Sequence, residues 1–450
     1  MPPGPPRGAS EDAAIPSPPQ RWRHRLVWLG PGFLWMVSAA GSGELLFTPR
    51  IGALYGYALL WALIAAVAMK WLINREVGRW AVCTGTPVLE GFARLPGPRG
   101  WAVLVILGPQ AVVAVATIAG LAGSAATALR LVLPGDLRFW MVASVLVSTT
   151  LVTAGRYKVV EKVAMAIAIA LALAAIAAAF AVGPDAGALA AGAVPQVPPE
   201  VAWEEVLPWL GFALSGAAGM IWYSYWIQAK GYGAAKVEGG VDPARLGPRD
   251  RERLRGWVRL MTLDNTVAVL GTLIVTLAFL ILGTELLRPQ GLVPEEHRVA
   301  EVLGQLLGGV WGPIGFWFMI LAVYVGFWDT VLSDQDGFGR MFGHGTRLLL
   351  RDRLRGRLAD PLLLRRTYVL VLLTALPIAL YLAVGEPVAL LKLAGAIEAV
   401  HIPFLTALLL VLNARLPPGL RPRKVTVIAT AAAGLFFAAF AGLYVWQALG

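Results

Sequence analysis

Charge is scarce in this sequence. Only 14% of its 450 residues are Asp, Glu, Lys or Arg, while 58% are hydrophobic. Soluble domains run near ~25% charged and ~45–50% apolar. With a mean hydropathy of +0.68, the composition excludes a soluble enzyme, a disordered chain and a nucleic-acid-binding module. Cysteine is almost missing: Cys83 stands alone, which rules out a disulfide scaffold, a thiolate zinc site and an iron–sulfur cluster. Residues 1–20 contain no apolar core, so no signal peptide is expected there. They read as a Pro-rich disordered tail. The phosphate-loop pattern GxxxxGK[ST] does not occur; Gly41-Ser42-Gly43 resembles only half of one.

What is abundant is apolar sequence long enough to cross a bilayer, about 20 residues per helix. Eleven segments qualify, at 28–53, 55–75, 101–131, 139–154, 159–182, 206–229, 257–283, 309–333, 366–384, 387–413 and 424–448. If the N-terminus is cytoplasmic, only Arg50, Arg130, Arg138, Arg288 and Arg298 fall outside, and Lys70 and Lys392 fall within spans. The other 31 of the 38 basic residues face the cytoplasm. That segregation follows the positive-inside rule. It assigns the +11 net charge to orientation against anionic lipid rather than to nucleic acid. The expectation is a multi-pass protein of the plasma (inner) membrane, N-terminus inside and C-terminus outside. Trp22, Trp28, Trp257 and Trp446 near span ends read as interfacial anchors.

Two spans have poor helix interiors. The first carries Gly41-Ser42-Gly43-Glu44 with Pro49 following, and the sixth carries Ser215-Gly216-Ala217-Ala218-Gly219. Each Gly costs a helix about 1 kcal/mol relative to Ala, and unwound backbone survives in lipid only where it is buried or lines a cavity. Small residues also serve close helix packing. Breaks five spans apart instead point to inverted repeats with a solute site between them. The expected organisation is a cytoplasmic tail (1–27), a first repeat (28–182), a second repeat (206–413) and an extra helix (424–448).

Several strings in order resemble the Nramp (natural resistance-associated macrophage protein) family of proton-coupled divalent-metal transporters. They are Gly30-Pro31-Gly32-Phe33, Gly52-Ala53-Leu54-Tyr55-Gly56-Tyr57, Leu59-Leu60-Trp61, Thr84-Gly85, Arg156-Tyr157-Lys158-Val159-Val160-Glu161, Asp264 and Ile402-Pro403-Phe404. The resemblance covers about 28–413. It implies an all-α integral membrane fold of eleven helices, the leucine-transporter-like 5+5 inverted repeat of the APC superfamily, with helices one and six broken.

The departures fall on the site. Where the family carries Asp-Pro-Gly-Asn in its first broken helix, this sequence has Gly41, Ser42, Gly43 and Glu44. Where it carries Met-Pro-His-Asn in the sixth, Ala218, Gly219, Met220 and Ile221 stand here. The Gln of the tenth helix falls on Gly395, and the acidic third-helix positions fall on Gln110, Thr117 and Gly120. The resemblance therefore implies the scaffold without the usual metal ligands or proton path. Carboxylate, carbonyl and water oxygens suit Mg, Ca or Mn rather than iron. The substrate-binding candidates are Gly41, Ser42, Gly43, Glu44, Ser215, Ala218, Gly219, Met220 and Gly395, with Glu44 as the candidate metal ligand.

Ionisable residues inside the membrane are functional candidates by default. Glu398 and His401 share a helix face. They read either as a proton shuttle or metal ligand, or as a hydrogen-bonded structural pair. Asp329 reads as a pathway residue or as the partner of a base, and Asp264 as the partner of Arg259 or part of an inner gate. Lys70 is placed to snorkel or to neutralise an acid. Asp334 and Asp336 are expected to be solvated. A lipid-processing enzyme would need a polar cluster at an interface, whereas Glu44 lies mid-span. The sequence thus predicts a transporter, not an enzyme, with no cofactor and no obligatory protein partner. Its partners are the bilayer and a small solute: a hard divalent cation, or alternatively a small organic acid or amino acid.

Overall fold

Apolar segments shielded from water must close their backbone hydrogen bonds internally. Among the described residues (15–32, 43–155, 158–351 and 353–449 of a computed structural model), the regular structure is helical without exception. In chain order the helices are α1 (Trp22–Trp28), α2 (Thr48–Tyr55), α3 (Leu60–Thr84), α4 (Val88–Ala93), α5 (Trp101–Val132), α6 (Leu137–Ala154), α7 (Lys158–Val182) and α8 (Ala186–Gly192). They continue with α9 (Trp203–Phe212), α10 (Ala217–Lys230), α11 (Pro248–Leu282), α12 (Val299–Leu349), α13 (Pro361–Leu370), α14 (Leu376–Val384), α15 (Pro387–Asn413) and α16 (Lys424–Leu449). Among the described residues, nine helical stretches are long and apolar enough to cross a membrane. The middle of the first expected span, including Gly41 and Ser42, lies outside the described residues.

The second span differs from its hydropathy reading of 55–75. Residues 56–59 form a turn, with Gly56 at φ 59°, and α3 runs on to Thr84, where Gly85 closes it in the left-handed conformation. Arg75 and Arg79, expected in a cytoplasmic loop, are therefore helical. Both pair with the buried Glu76, at 2.9 and 2.8 Å. A paired charge lowers the hydropathy of a segment without ending its helix. In α12, the left-handed Gly312 beside Trp311 kinks the chain and separates residues 299–310 from the span that follows. The tail also differs from expectation. Residues 1–14 lie outside the described residues, but Ile15 is buried and donates its N–H to Asp250 on α11 (3.0 Å). Trp257 is buried rather than interfacial; it packs on Trp28 and donates to the Pro16 carbonyl.

The core centres on α5, which packs most extensively against α12 and α15, while α15 also packs closely on α9. That last crossing brings backbone onto backbone: a Cβ added at Gly211 would lie 2.0 Å from the Gly395 carbonyl oxygen. Only glycine permits this approach, and it sets α9 and the break that follows it directly against α15.

Candidate functional site

The sixth span is interrupted between α9 and α10. Leu214 and Ser215 take positive φ values, 67° and 140°, a region that costs non-glycine residues of order 1–3 kcal/mol and persists only when the surroundings hold it. Here three side chains from three other spans supply the hold.

Lys70 of α3 is fully buried. Its ammonium donates to the carbonyls of Gly211 (2.7 Å), Ala213 (2.7 Å) and Ser215 (2.8 Å). These carbonyls lie in the last turn of α9 and the break itself, where helical partners are missing. Glu44, also fully buried, accepts from the Leu214 N–H at 2.9 Å and from the Thr276 hydroxyl at 3.4 Å. It sits in a π turn, Gly43–Phe47, that leads into α2. Glu398 of α15 accepts from the Ala217 N–H, at the first position of α10, at 2.7 Å. An anion there is favoured by the exposed N–H groups and dipole of the half-helix. Gly216 makes the approach possible, since a Cβ there would lie 2.5 Å from a Glu398 carboxylate oxygen.

Glu398 and His401 share a face as expected, but Gln110 of α5 bridges them. Its amide nitrogen lies 3.0 Å from Glu398 Oε2 and 3.0 Å from His401 Nδ1. Gly395 lies in the crossing with α9, against the Pro208 carbonyl and the Phe212 ring. Met220 is fully buried, and Ala218, Gly219 and Ser215 line a small cavity of about 40 Å³ that also touches Glu398 and Asp334. Asp334, expected to be solvated, is buried. Its neighbour on the chain, Asp336, pairs with Arg340 and Arg365. Asp264 does not pair with Arg259. It accepts from the N–H groups of Gly30 (3.0 Å) and Gly32 (2.7 Å) and from the Tyr223 hydroxyl (3.1 Å). It thereby ties the start of the first span to α10 and α11.

A second cavity, about 90 Å³, is lined by Glu44, Thr272 and Asp329 among mostly apolar neighbours. Glu44 Oε2 and Asp329 Oδ1 are both buried without a hydrogen-bond partner. A third and larger cavity, about 560 Å³, contains Asp329, Trp222, Gln228, Asp336 and Arg340. Thr330 borders all three. The opposite end of the sixth span is shut by ions. Arg50 grips Glu205 through two nitrogens (2.8 and 2.9 Å) and donates to the Pro294 carbonyl, and Lys392 joins Glu205. Sequence reasoning missed this cluster, having counted Arg50 only as a charge on the outer side. A base immediately after Pro49 in an apolar span was the available signal. Among the described residues, no three His, Cys, Asp or Glu side chains cluster tightly enough to hold a metal by themselves.

A many-spanning helical protein with one span broken around buried charges has close structural counterparts among membrane transporters. A mutant of the Eremococcus coleocola manganese transporter superposes with a TM-score of 0.67 at 16% identity, covering 98% of each chain. Mhp1, a nucleobase-cation-symport-1 family transporter with bromovinylhydantoin bound, gives 0.55 at 13% identity over 93% of this chain and 90% of its own. These are leucine-transporter-like folds, and they define the class: a multi-pass, all-helical membrane protein of that architecture.

The chain belongs to the Nramp family. The family model described as natural resistance-associated macrophage protein-like matches residues 32–447. Among curated relatives, the metal transporter Nramp2 of Arabidopsis thaliana is 40% identical over 73 residues, 16% of this chain and 14% of its own length. The match thus spans only about a seventh of that relative. An uncharacterised protein of Pasteurella multocida is 25% identical over 347 residues, 73% of this chain and 72% of its own.

Proposed function

We propose that this chain is a secondary-active transporter that carries a divalent cation by alternating access, favouring a hard or hydrated ion such as Mg or Mn over Fe. Family membership supports metal-ion transport. The observation that carries the finer reading is the pair of buried, unpartnered carboxylate oxygens, Glu44 Oε2 and Asp329 Oδ1, on one cavity. Uncompensated buried carboxylates are costly, and a cation entering between them removes that cost. The donors on that cavity are oxygens (the two carboxylates, Thr272 and Thr330), with neither thioether nor imidazole. Such a set suits a hard cation that keeps part of its water shell.

In this reading the larger cavity is the cytoplasmic vestibule and the Arg50–Glu205–Lys392 cluster is the closed outer gate, with the N-terminus inside and the C-terminus outside. Residues 28–182 and 206–413 form the two repeats, and 424–448 the added helix. The cation approaches past Thr330, and rocking of one bundle against the other exposes the same carboxylates to the far side. Of the candidates, Gly43 and Glu44 bring the first span to the site; Gly41 and Ser42, proposed with them from the sequence, lie outside the described residues. Ser215, Ala218, Gly219 and Met220 shape the sixth, and Gly395 holds the tenth against it. Asp329 is the second ligand, Glu398 and His401 form the polar wall, and Asp264 secures the inner end.

The rival solute, a small organic acid or amino acid, would place its carboxylate on the half-helix N-terminus of α10. Glu398 already occupies that position, which favours the cation. The test is uptake into proteoliposomes together with calorimetric titration of Mn²⁺, Mg²⁺ and Ca²⁺. Saturable heat and uptake with Mn²⁺ or Mg²⁺ are expected. No heat with any of the three at millimolar concentration overturns the cation reading.

A further inference from the structure

We infer that the carbonyls of Gly211, Ala213 and Ser215 form a monovalent-cation site that the chain fills with its own ammonium, Lys70. The protein therefore takes no separate sodium-like ion at its broken helix.

The three acceptors come from one break, and all three N–H groups of the ammonium find a carbonyl at 2.7–2.8 Å. Nothing about a lysine requires this. A buried lysine that only neutralised an acid would bond to a carboxylate, yet Lys70 contacts neither Glu44 nor Glu398 directly. Those two acids face it at longer range from the first and tenth spans. The face toward α16 is closed by the Phe437 ring, 5.6 Å from the ammonium, an arrangement that attracts cations. Neutral carbonyl oxygens freed by helix unwinding, with negative charge nearby, are the usual setting for a monovalent cation in transporters with broken helices. Here the cation is covalently tethered, so its effective concentration is fixed and its entropy of binding was lost at folding. The break is thereby held in its strained conformation whatever the ionic composition outside.

The inference concerns a place distinct from the Glu44–Asp329 cavity and does not depend on the identity of the carried solute. The experiment reads the melting temperature of the purified full-length protein in choline chloride, then with Na⁺, K⁺ or n-propylammonium at equal ionic strength. The wild type is expected to be indifferent to the exchange. Lys70→Ala leaves room for the missing three carbons and nitrogen. It is expected to melt several degrees lower in choline and to recover, saturably, with n-propylammonium or Na⁺. Lys70→Met fills the channel without charge and is expected to melt lower with no recovery from any cation.

Three results overturn the inference: a wild type that Na⁺ stabilises over choline, a Lys70→Met variant as stable as the wild type, or a folded Lys70→Ala variant that no cation rescues. If neither variant folds, the wild-type exchange decides alone, with indifference upholding the inference and Na⁺ stabilisation overturning it. Failure of the divalent-cation titration leaves every one of these readings unchanged.

Discussion

Lys70 and Glu398 hold the two polarities of the same interruption. The ammonium takes carbonyls at 211, 213 and 215, and the carboxylate takes the Ala217 N–H. With Glu44 on the Leu214 N–H, the exposed backbone of the sixth span is satisfied by side chains from the first, second and tenth spans. Buried main-chain groups left without partners cost about 1–3 kcal/mol each, so this mutual capping makes an unwound stretch tolerable in lipid.

Glu44→Gln keeps an oxygen for the Leu214 N–H and removes the charge. Uptake of Mn²⁺ or Mg²⁺ into proteoliposomes is expected to fall at least about tenfold, since interactions of a charged group are worth roughly 1.5 kcal/mol or more. The melting temperature without metal should fall little. Unchanged uptake removes Glu44 from the transport step.

Arg50 and Glu205 are both buried, and breaking such a pair on one side leaves a stranded charge. Arg50→Met and Glu205→Gln should each destabilise the protein by about 3–5 kcal/mol, with the double variant losing less than the two single losses together. Thermal melting of the three variants checks this. Strict additivity would show that the bidentate contact contributes nothing.

Asp264→Asn replaces one acceptor oxygen with an amide that opposes the Gly30 or Gly32 N–H. A loss of about 1–3 kcal/mol is expected. Protease sensitivity near residues 15–32 should rise as the start of the first span detaches. Tyr223→Phe, which removes one contact of three, should lose less.

Gly395→Ala puts a methyl group 2.7 Å from the Pro208 carbonyl oxygen and 2.8 Å from the Phe212 ring. Overpacking of this kind costs about 1–3 kcal/mol. Because α9 leads straight into the break, this variant should also weaken metal-dependent stabilisation. A variant that melts like the wild type would show that the crossing yields.

Nine spans among the described residues were legible in the sequence because hydropathy reports burial in lipid directly. Where charge entered a helix, that signal failed. Glu76 pairs with both Arg75 and Arg79 within α3, so the second span runs nine residues beyond its apolar limit at residue 75. The site was legible in residue type more than in partnership. Lys70 and Glu398 stood out as ions in apolar runs, but the acceptors of Lys70 are main-chain atoms that exist only because Leu214 and Ser215 leave the helical region. Asp264 stood out as a family match. Its partners are two amides more than 230 residues away, which no local spacing reveals. Asp334 looked solvated because it lies near the expected cytoplasmic end of its span, yet the helix turns it inward onto the cavity of Glu398.

Thr330 borders the largest of the three cavities described above and both smaller hollows. The hollow of the first-span acid and that of the tenth-span acid therefore meet the larger cavity at one shared side chain, whose hydroxyl is turned back onto the Gly326 carbonyl. Under the proposed cation reading, that fork would set the size of what passes inward: a bulkier residue at this position would close two branches with one substitution, and a smaller one would merge them into a single chamber.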